Sequence, residues 1–167
     1  DELFDFPFYK WEKDLADKPF LKQPFGTLWE TYTWNEAGLM ARKLATGLKS
    51  LGLKKDSHIG LISKNCREWI IADLAISMAG YISVPFFPTL NSKEVGNLLE
   101  FGDVKALFVG KLEDWEEMKK GVSSDMPIIA FPHYKDHSKI STGHQWHDFL
   151  NKFDPQTENF IPNLKDI

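Results

Sequence analysis

The stretch from Cys66 to Leu90 constrains the fold of this chain more than any other part of the sequence. Residues 69–78 are apolar at nearly every position, which is typical of a buried helix rather than one lying on a surface. Gly80 ends this helix, and residues 82–87 follow as an apolar run of strand length. Because proline cannot donate to a strand ladder, we expect Pro85 near the strand end or at a bulge.

Helix-like and strand-like segments alternate along the rest of the chain. Two predicted helices begin at Thr33 and Asn65, each followed three positions later by a glutamate (Glu36 and Glu68) in the spacing of a capping box, and a third begins similarly at Asn91. Further helices are predicted at 113–120 and 146–150, and strands at 58–62, 82–87, 106–109 and 127–131. Since the helices are long enough to cross over, we predict an α/β fold: a mostly parallel sheet flanked by helices on both faces.

The distribution of aromatic residues, prolines and helix-capping residues divides the chain into three parts. Residues 1–32 are rich in aromatic residues and proline, and we interpret them as an N-terminal arm whose rings dock on a core. We expect residues 33–154 to form an α/β subdomain. Residues 155–167, here called the tail, have two prolines and no clear period, and we expect them to be extended.

Composition excludes several classes of function. The net charge of −4 is spread over interspersed acidic and basic residues, which argues against a nucleic-acid-binding surface. The single cysteine fits a reducing compartment and rules out an internal disulfide framework. No apolar stretch reaches membrane-spanning length, and the first residues lack the basic segment of a signal peptide. We therefore expect a cytoplasmic location.

No phosphate-binding motif of known form is present. The sequence contains neither G-x-G-x-x-G nor G-x-x-x-x-G-K-[ST]. Gly110 and Lys111 occupy a predicted strand-to-helix turn, where they could neutralise one phosphate, but a solvated turn is the favoured interpretation.

Four histidines fall close together in a polar stretch: His133, His137, His144 and His147. They could serve a metal hydrolase, but prolines, serines and a glycine argue against a helix that would align them. A histidine-bearing surface loop is the favoured interpretation, and we predict no metal site.

Two other residues are candidates for chemistry. Cys66 lies at a predicted helix N-terminus, which lowers a thiol pKa, but no histidine near it in sequence supplies a base. We interpret it as a structural cysteine. Asp73 is the one acidic residue in an apolar helix, so it is either a structural hydrogen-bond acceptor, which we favour, or a site residue.

Three short elements resemble the AMP-forming, or adenylate-forming, acyl-CoA synthetases. Residues 29–36 (Trp-Glu-Thr-Tyr-Thr-Trp-Asn-Glu) resemble the element that starts the first conserved helix of that family. Residues 63–69 (Ser-Lys-Asn-Cys-Arg-Glu-Trp) resemble the Ser-x-Asn-x-x-Glu-Trp element of its long-chain fatty acid branch. Residues 79–85 and 88–90 are similar to the Ala-Gly-x-x-x-Val-Pro and Pro-Thr-Leu elements that follow it. Order and spacing agree across about residues 20–109.

The resemblance implies the N-terminal part of a long-chain fatty acid–CoA ligase. Such enzymes adenylate a carboxylic acid with Mg-ATP and then transfer the acyl group to the thiol of CoA. The resemblance places their phosphate loop shortly after a segment like residues 163–167, and none of their catalytic, metal-binding or cofactor-binding residues can be mapped onto this chain. We therefore expect ATP, Mg and CoA to bind the parent enzyme, and this chain alone to be inactive.

The residues that carry the resemblance are assigned structural roles. We expect four of them to cap helices: Thr33, Glu36, Asn65 and Glu68. We expect Gly80 to end a helix, and Pro85 and Pro88 to shape the loop after a strand. The implied partners are the remainder of the ligase and its fatty acid substrate. We also expect this chain to self-associate through apolar surface that the rest of the ligase would cover. The parent enzyme is further expected to associate peripherally with membranes. The alternative is a stand-alone, non-catalytic Rossmann-like module for binding or scaffolding.

Overall fold

The computed structural model describes residues 6–162, and the predictions made for residues 1–5 and 163–167 lie outside the described residues. The first element of the described residues is helix α1 (Phe8–Asp14), followed by an antiparallel hairpin of strands β1 (Pro19–Phe25) and β2 (Leu28–Thr33). The hairpin was not predicted for the N-terminal arm. The predicted boundary between residues 32 and 33 falls inside β2.

The aromatic rings of this N-terminal region pack against the body of the protein. Phe8 is buried, and the ring of Phe20 stacks on that of Trp34 with centroids 3.9 Å apart. The ring of Phe25 stacks on that of Tyr134, which lies more than 100 residues later in the sequence, with centroids 5.5 Å apart. Aromatic rings bury large apolar areas, so these contacts anchor the region.

A five-stranded sheet forms the centre of the fold, and all of its strand pairs are parallel. The strands are β3 (His58–Ile62), β4 (Ile82–Phe86), β5 (Val104–Val109), β6 (Ile128–Ala130) and β7 (His144–Gln145), in the spatial order β4-β3-β5-β6-β7. The helices between and around them are α2 (Trp34–Lys49), α3 (Arg67–Met78), α4 (Ser92–Phe101), α5 (Trp115–Met118) and α6 (Trp146–Leu150), with a 3-10 turn at Lys119–Gly121. The predicted α/β class and parallel sheet are confirmed.

The sheet separates two apolar clusters. Phe108 points into the larger one, which includes Leu44 of α2 and Ile71 of α3. Its neighbour Leu107 points into the smaller one, which includes Val95 of α4. Alternation along β5 therefore buries both faces of the sheet, as expected for parallel strands covered by helices.

The first predicted capping box is present and the second is not. Thr33 Oγ1 accepts the backbone N–H of Glu36, and the Glu36 carboxylate accepts the backbone N–H of Thr33. Asn65 and Glu68 do not cap α3, because the helix starts one residue later than predicted, with Cys66 as its N-cap and no side-chain cap. Instead the backbone N–H of Arg67 donates to Gln23 Oε1, on β1, at 3.3 Å. A side chain distant in sequence thus replaces the local cap.

The glycine and prolines predicted to end a helix and a strand lie at those ends. Gly80 follows α3 with φ +83°, a left-handed conformation that glycine adopts without strain. Pro85 is the penultimate residue of β4, which is an edge strand of the described sheet, so its missing N–H costs no ladder bond there. Pro88 lies in the turn just after β4. The two-residue strand β7 was missed, because so short a segment carries no period.

Candidate functional site at the carboxyl edge of the sheet

The carboxyl edge of a parallel sheet is where a ligand site is expected in this class of fold. Here the loops after β3, β5 and β6 are fastened together directly beyond the strands. Gly110 donates its N–H to Ile62 O at 2.9 Å, and Phe131 donates to Val109 O at 2.8 Å. These bonds extend the strand ladder into the loops and leave the first loop residues little freedom.

Ser63 ties the β3 and β5 loops to each other. Its hydroxyl accepts the backbone N–H of Lys111 at 2.8 Å and donates to Lys64 O at 2.7 Å, while Lys64 N–H donates to Lys111 O at 3.0 Å. The N–H groups of Gly110 and Lys111 are therefore already used within the protein and cannot cradle a phosphate. The turn is partly solvated, because Lys111 is half-buried with its ammonium 5.0 Å from the centroid of the Tyr134 ring.

A buried ionic cluster lies behind these loops, formed by Arg67, Glu68 and Tyr134. Arg67 Nε donates to Glu68 Oε1 at 3.3 Å, and the hydroxyl of Tyr134 donates to Glu68 Oε2. The side chains of Arg67 and Glu68 are only 6% and 2% exposed, so each charge depends on the other for compensation. Burial and the Glu68 carboxylate raise the pKa of Tyr134, which keeps the phenol protonated and donating.

The N-terminal hairpin covers Arg67 from the other side. Arg67 Nη2 donates to Glu30 Oε2, on β2, at 2.9 Å. The guanidinium carbon lies 3.9 Å from the centroid of the Tyr32 ring and 5.1 Å from that of Phe25. The cluster thus joins the hairpin, the start of α3 and the loop after β6. Its charges are buried and paired with one another, which is typical of a structural ion pair rather than an open site.

Cys66 is placed as a structural residue. It is 8% exposed, and its sulfur lies 3.8 Å from Ser63 Oγ. Burial, reinforced by the nearby Glu68 charge, raises the pKa of the Cys66 thiol to about 11. A thiol held protonated in this way is a poor nucleophile.

His133 and His137 each contact a backbone carbonyl of their own loop. His133 Nε2 lies 3.0 Å from His137 O, and His137 Nδ1 lies 2.9 Å from Lys135 O. His144 packs its ring against Phe149, with centroids 5.0 Å apart. Within residues 6–162, no three His, Cys, Asp or Glu side chains come together as metal ligands would.

A cavity of about 300 Å³ opens beside β6 at the same edge, lined in part by Gly110, His133 and Ser138. The Ser138 hydroxyl already accepts the backbone N–H of Trp115 at 3.0 Å. His133 faces the carbonyl described above rather than Ser138, so the cavity has no nucleophile paired with a base.

Asp73 lies at the opposite, amino-terminal side of the sheet. Its Oδ1 accepts the Ser83 hydroxyl of β4 at 2.6 Å, which is the structural role that the sequence favoured. The two side chains line a cavity of about 180 Å³, together with Tyr81 and Phe160.

Sequence reasoning missed Arg67 and Tyr134 as partners of Glu68. One signal was available: a cation in the first turn of a helix opposes the helix dipole, so Arg67 at the start of α3 needs a compensating anion. Tyr134 gave no such signal, because its contact depends on how the β6 loop returns across the sheet.

Comparisons with known proteins identify the family. The sequence model of the family described as AMP-binding enzyme matches residues 8–159. The chain is 29% identical to 4-coumarate–CoA ligase 3 of Arabidopsis thaliana over 126 residues, covering 71% of this chain and 22% of that protein. It is 25% identical to the long-chain-fatty-acid–CoA ligase ACSBG2 of Rattus norvegicus over 150 residues, covering 88% of this chain and 22% of that protein.

Solved structures show the same fold. The anthranilate CoA ligase AuaEII, in complex with anthranoyl-AMP, superposes with a TM-score of 0.78 at 16% identity, covering 95% of this chain and 30% of that one. The coronafacic acid ligase of Pectobacterium brasiliense superposes with a TM-score of 0.74 at 23% identity, covering 92% and 30%.

The chain belongs to the AMP-binding enzyme family, because the family model covers nearly all of its described residues. It spans about a fifth of the length of the two curated relatives above. The predicted family is confirmed at this level, and the stand-alone module is not favoured.

Proposed function

We propose that this chain is the N-terminal part of an ATP-dependent ligase, which activates a fatty acid as an acyl-adenylate and transfers it to CoA. One observation carries the proposal: the chain has the family's parallel sheet, while the backbone donors of Gly110 and Lys111, at the edge where a phosphate would bind, are used internally. The family fold is thus present without a phosphate cradle in the described residues.

Activity is assigned to the parent enzyme and not to this piece. The sequence contains no Ser/Thr/Gly-rich phosphate loop, and the buried charges of the site compensate one another. ATP, Mg²⁺ and CoA would supply the phosphoryl and thiol chemistry in the complete protein. No residue of this chain is assigned to hold them.

A long-chain fatty acid is the proposed substrate class. The resemblance of residues 63–69 to the long-chain branch supports it, as does the similarity to the long-chain-fatty-acid–CoA ligase ACSBG2 of Rattus norvegicus. Similarity to the 4-coumarate–CoA ligase of Arabidopsis thaliana makes an aromatic acid the natural competitor in any assay.

The proposal also covers the location of the parent enzyme and the self-association of this chain. Among residues 6–162, the helices are too short or too polar to cross a bilayer. We propose a cytoplasmic parent that associates peripherally with membranes, where its substrate partitions. The isolated chain should self-associate, because it exposes large apolar side chains such as Phe87 and Phe101, which are 77% and 91% exposed.

The proposal is tested by expressing the complete reading frame and measuring CoA thioester formation by chromatography. Palmitate and 4-coumarate are compared at equal concentration with ATP, Mg²⁺ and CoA. We expect palmitoyl-CoA as the main product. A preference for 4-coumarate would overturn the substrate class, and the absence of any thioester from a panel of carboxylic acids would overturn the ligase assignment.

A further inference from the structure

The described part of the tail is fastened to three helices. Gln156 donates its side-chain amide to Met78 O, at the end of α3, at 2.9 Å, and its backbone N–H to Arg42 O, on α2, at 3.3 Å. The hydroxyl of Tyr9, on α1, donates to Phe160 O at 2.7 Å. An otherwise irregular segment therefore has a defined path across the protein.

Arg42 makes the largest number of these contacts. Its Nη1 donates to the backbone carbonyls of Gln156 and Glu158, both at 3.3 Å, and its Nη2 donates to Asn159 Oδ1 at 2.7 Å. The same guanidinium binds Glu12 of α1 through Nε at 3.2 Å and Nη2 at 2.7 Å. One side chain thus joins α1 to the described part of the tail. We call Tyr9, Glu12, Arg42 and residues 156–160 the Arg42 clamp.

The geometry of the clamp requires arginine. The side chains of Arg42 and Glu12 are 14% and 16% exposed, and the guanidinium carbon lies 5.2 Å from the centroid of the Tyr9 ring. A planar fork with five donors can serve a carboxylate and three tail oxygens at once, which a lysine ammonium cannot. Gly38 makes room for this arrangement, because a Cβ there would overlap the Glu12 carboxylate.

We propose that Arg42 is a positioning residue for the adenylation step of the ligase. By holding residues 156–159 against α1 and α2, it fixes the direction in which the chain leaves the α/β subdomain. This inference rests on the proposed function, since the family resemblance places the phosphate loop shortly after a segment like residues 163–167. Arg42 acts through the path of the chain and does not touch the reacting atoms.

Amide hydrogen exchange on the 167-residue chain tests the clamp without any assay of activity. Peptides covering residues 156–162 are compared in Arg42→Met, in Arg42→Lys and in the matched control Lys43→Met. Lys43 is the next residue on α2, also half-buried, and makes no hydrogen bond to the described part of the tail. We expect about tenfold faster exchange in both Arg42 variants and no change in the control. Equal exchange in Arg42→Met and wild type would overturn the proposal.

Kinetics of the complete ligase test the positioning role. For Arg42→Met we expect kcat/KM for MgATP to fall about tenfold through a higher KM, with the KM for the fatty acid unchanged. A purely structural role would only reduce the amount of folded enzyme, so a lower apparent kcat with an unchanged KM for MgATP would contradict positioning. If the wild-type protein forms no adenylate, the proposed function and the positioning role fail together, whereas faster tail exchange would still establish the clamp.

Discussion

Tyr134 donates a hydrogen bond from its phenol hydroxyl to Glu68 Oε2, across 66 positions of sequence and between two buried residues. The bond joins the loop after β6 to the first turn of α3. It also gives the buried Glu68 carboxylate a second donor beside Arg67. The carboxyl edge of the sheet is therefore held together by charge compensation rather than prepared to receive an anionic ligand.

Removal of Glu68 should be among the most destabilising single changes in this chain. In Glu68→Ala the buried Arg67 loses its buried counter-ion, so we expect the free energy of unfolding to fall by about 3 kcal/mol, measured by urea titration. Glu30→Ala is the matched control: it removes the other partner of Arg67, but Glu30 is 58% exposed, and we expect a loss below about 1 kcal/mol. Equal losses in the two variants would contradict the account of the cluster.

Loss of the Tyr134 hydroxyl should have a smaller effect. Tyr134→Phe keeps the ring that stacks on Phe25 but leaves Glu68 with one donor fewer. We expect a loss of about 1–2 kcal/mol in the same titration. A stabilised Tyr134→Phe would show that the hydrogen bond is strained rather than favourable.

The two capping sites should respond differently to alanine. Thr33→Ala removes a side chain that accepts the Glu36 N–H at the start of α2, which should cost about 1 kcal/mol. Asn65→Ala changes an exposed residue that does not cap α3, so thermal denaturation should show little change. A larger loss in Asn65→Ala than in Thr33→Ala would restore the capping assignment made from sequence.

Cys66 should make stability depend on alkaline pH. Its pKa in the folded protein is about 11, above the ordinary thiol value of 9.0. Below pH 9 both states keep the proton and this contribution to stability is complete, whereas between pH 9 and 11 only the unfolded thiol ionises, so stability falls. Relative to Cys66→Ala, we expect the wild type to lose on the order of 2 kcal/mol across this range. Parallel pH profiles for the two proteins would contradict the assignment.

The outward side of α4 offers a test of self-association. Leu98 and Phe101 are three residues apart on this helix and are 40% and 91% exposed, so they share one face. Phe101→Glu should lower the apparent mass measured by light scattering at high protein concentration. Asn35→Glu, which adds the same charge at an exposed position of α2 on the other side of the sheet, should not. Equal masses for wild type and Phe101→Glu would remove this face from the proposal.

The alternating apolar segments predicted the parallel sheet because β3 and β5 are buried nearly throughout and most of α3 is buried, so their composition directly reflects their environment. The local box at Thr33 and Glu36 was predictable for a similar reason: all of its atoms lie within four residues. Strand burial and helix capping could therefore be predicted from residues close together in sequence.

The contacts that complete the carboxyl edge and the tail were not predictable, because they join residues far apart in sequence. Gln23 replaces the cap expected from Asn65 only because the hairpin folds over α3. Nothing near Arg42 in sequence indicated that Glu12 and residues 156–159 would converge on it.

ATP–pyrophosphate exchange, measured side by side on this chain and on the product of the complete reading frame, tests the central claim most directly. With palmitate and Mg²⁺ present, we predict exchange by the complete protein and none by the chain, because the donors of Gly110 and Lys111 are already bonded. Robust exchange by the chain alone, or none by the complete protein with any carboxylic acid tested, would contradict the account.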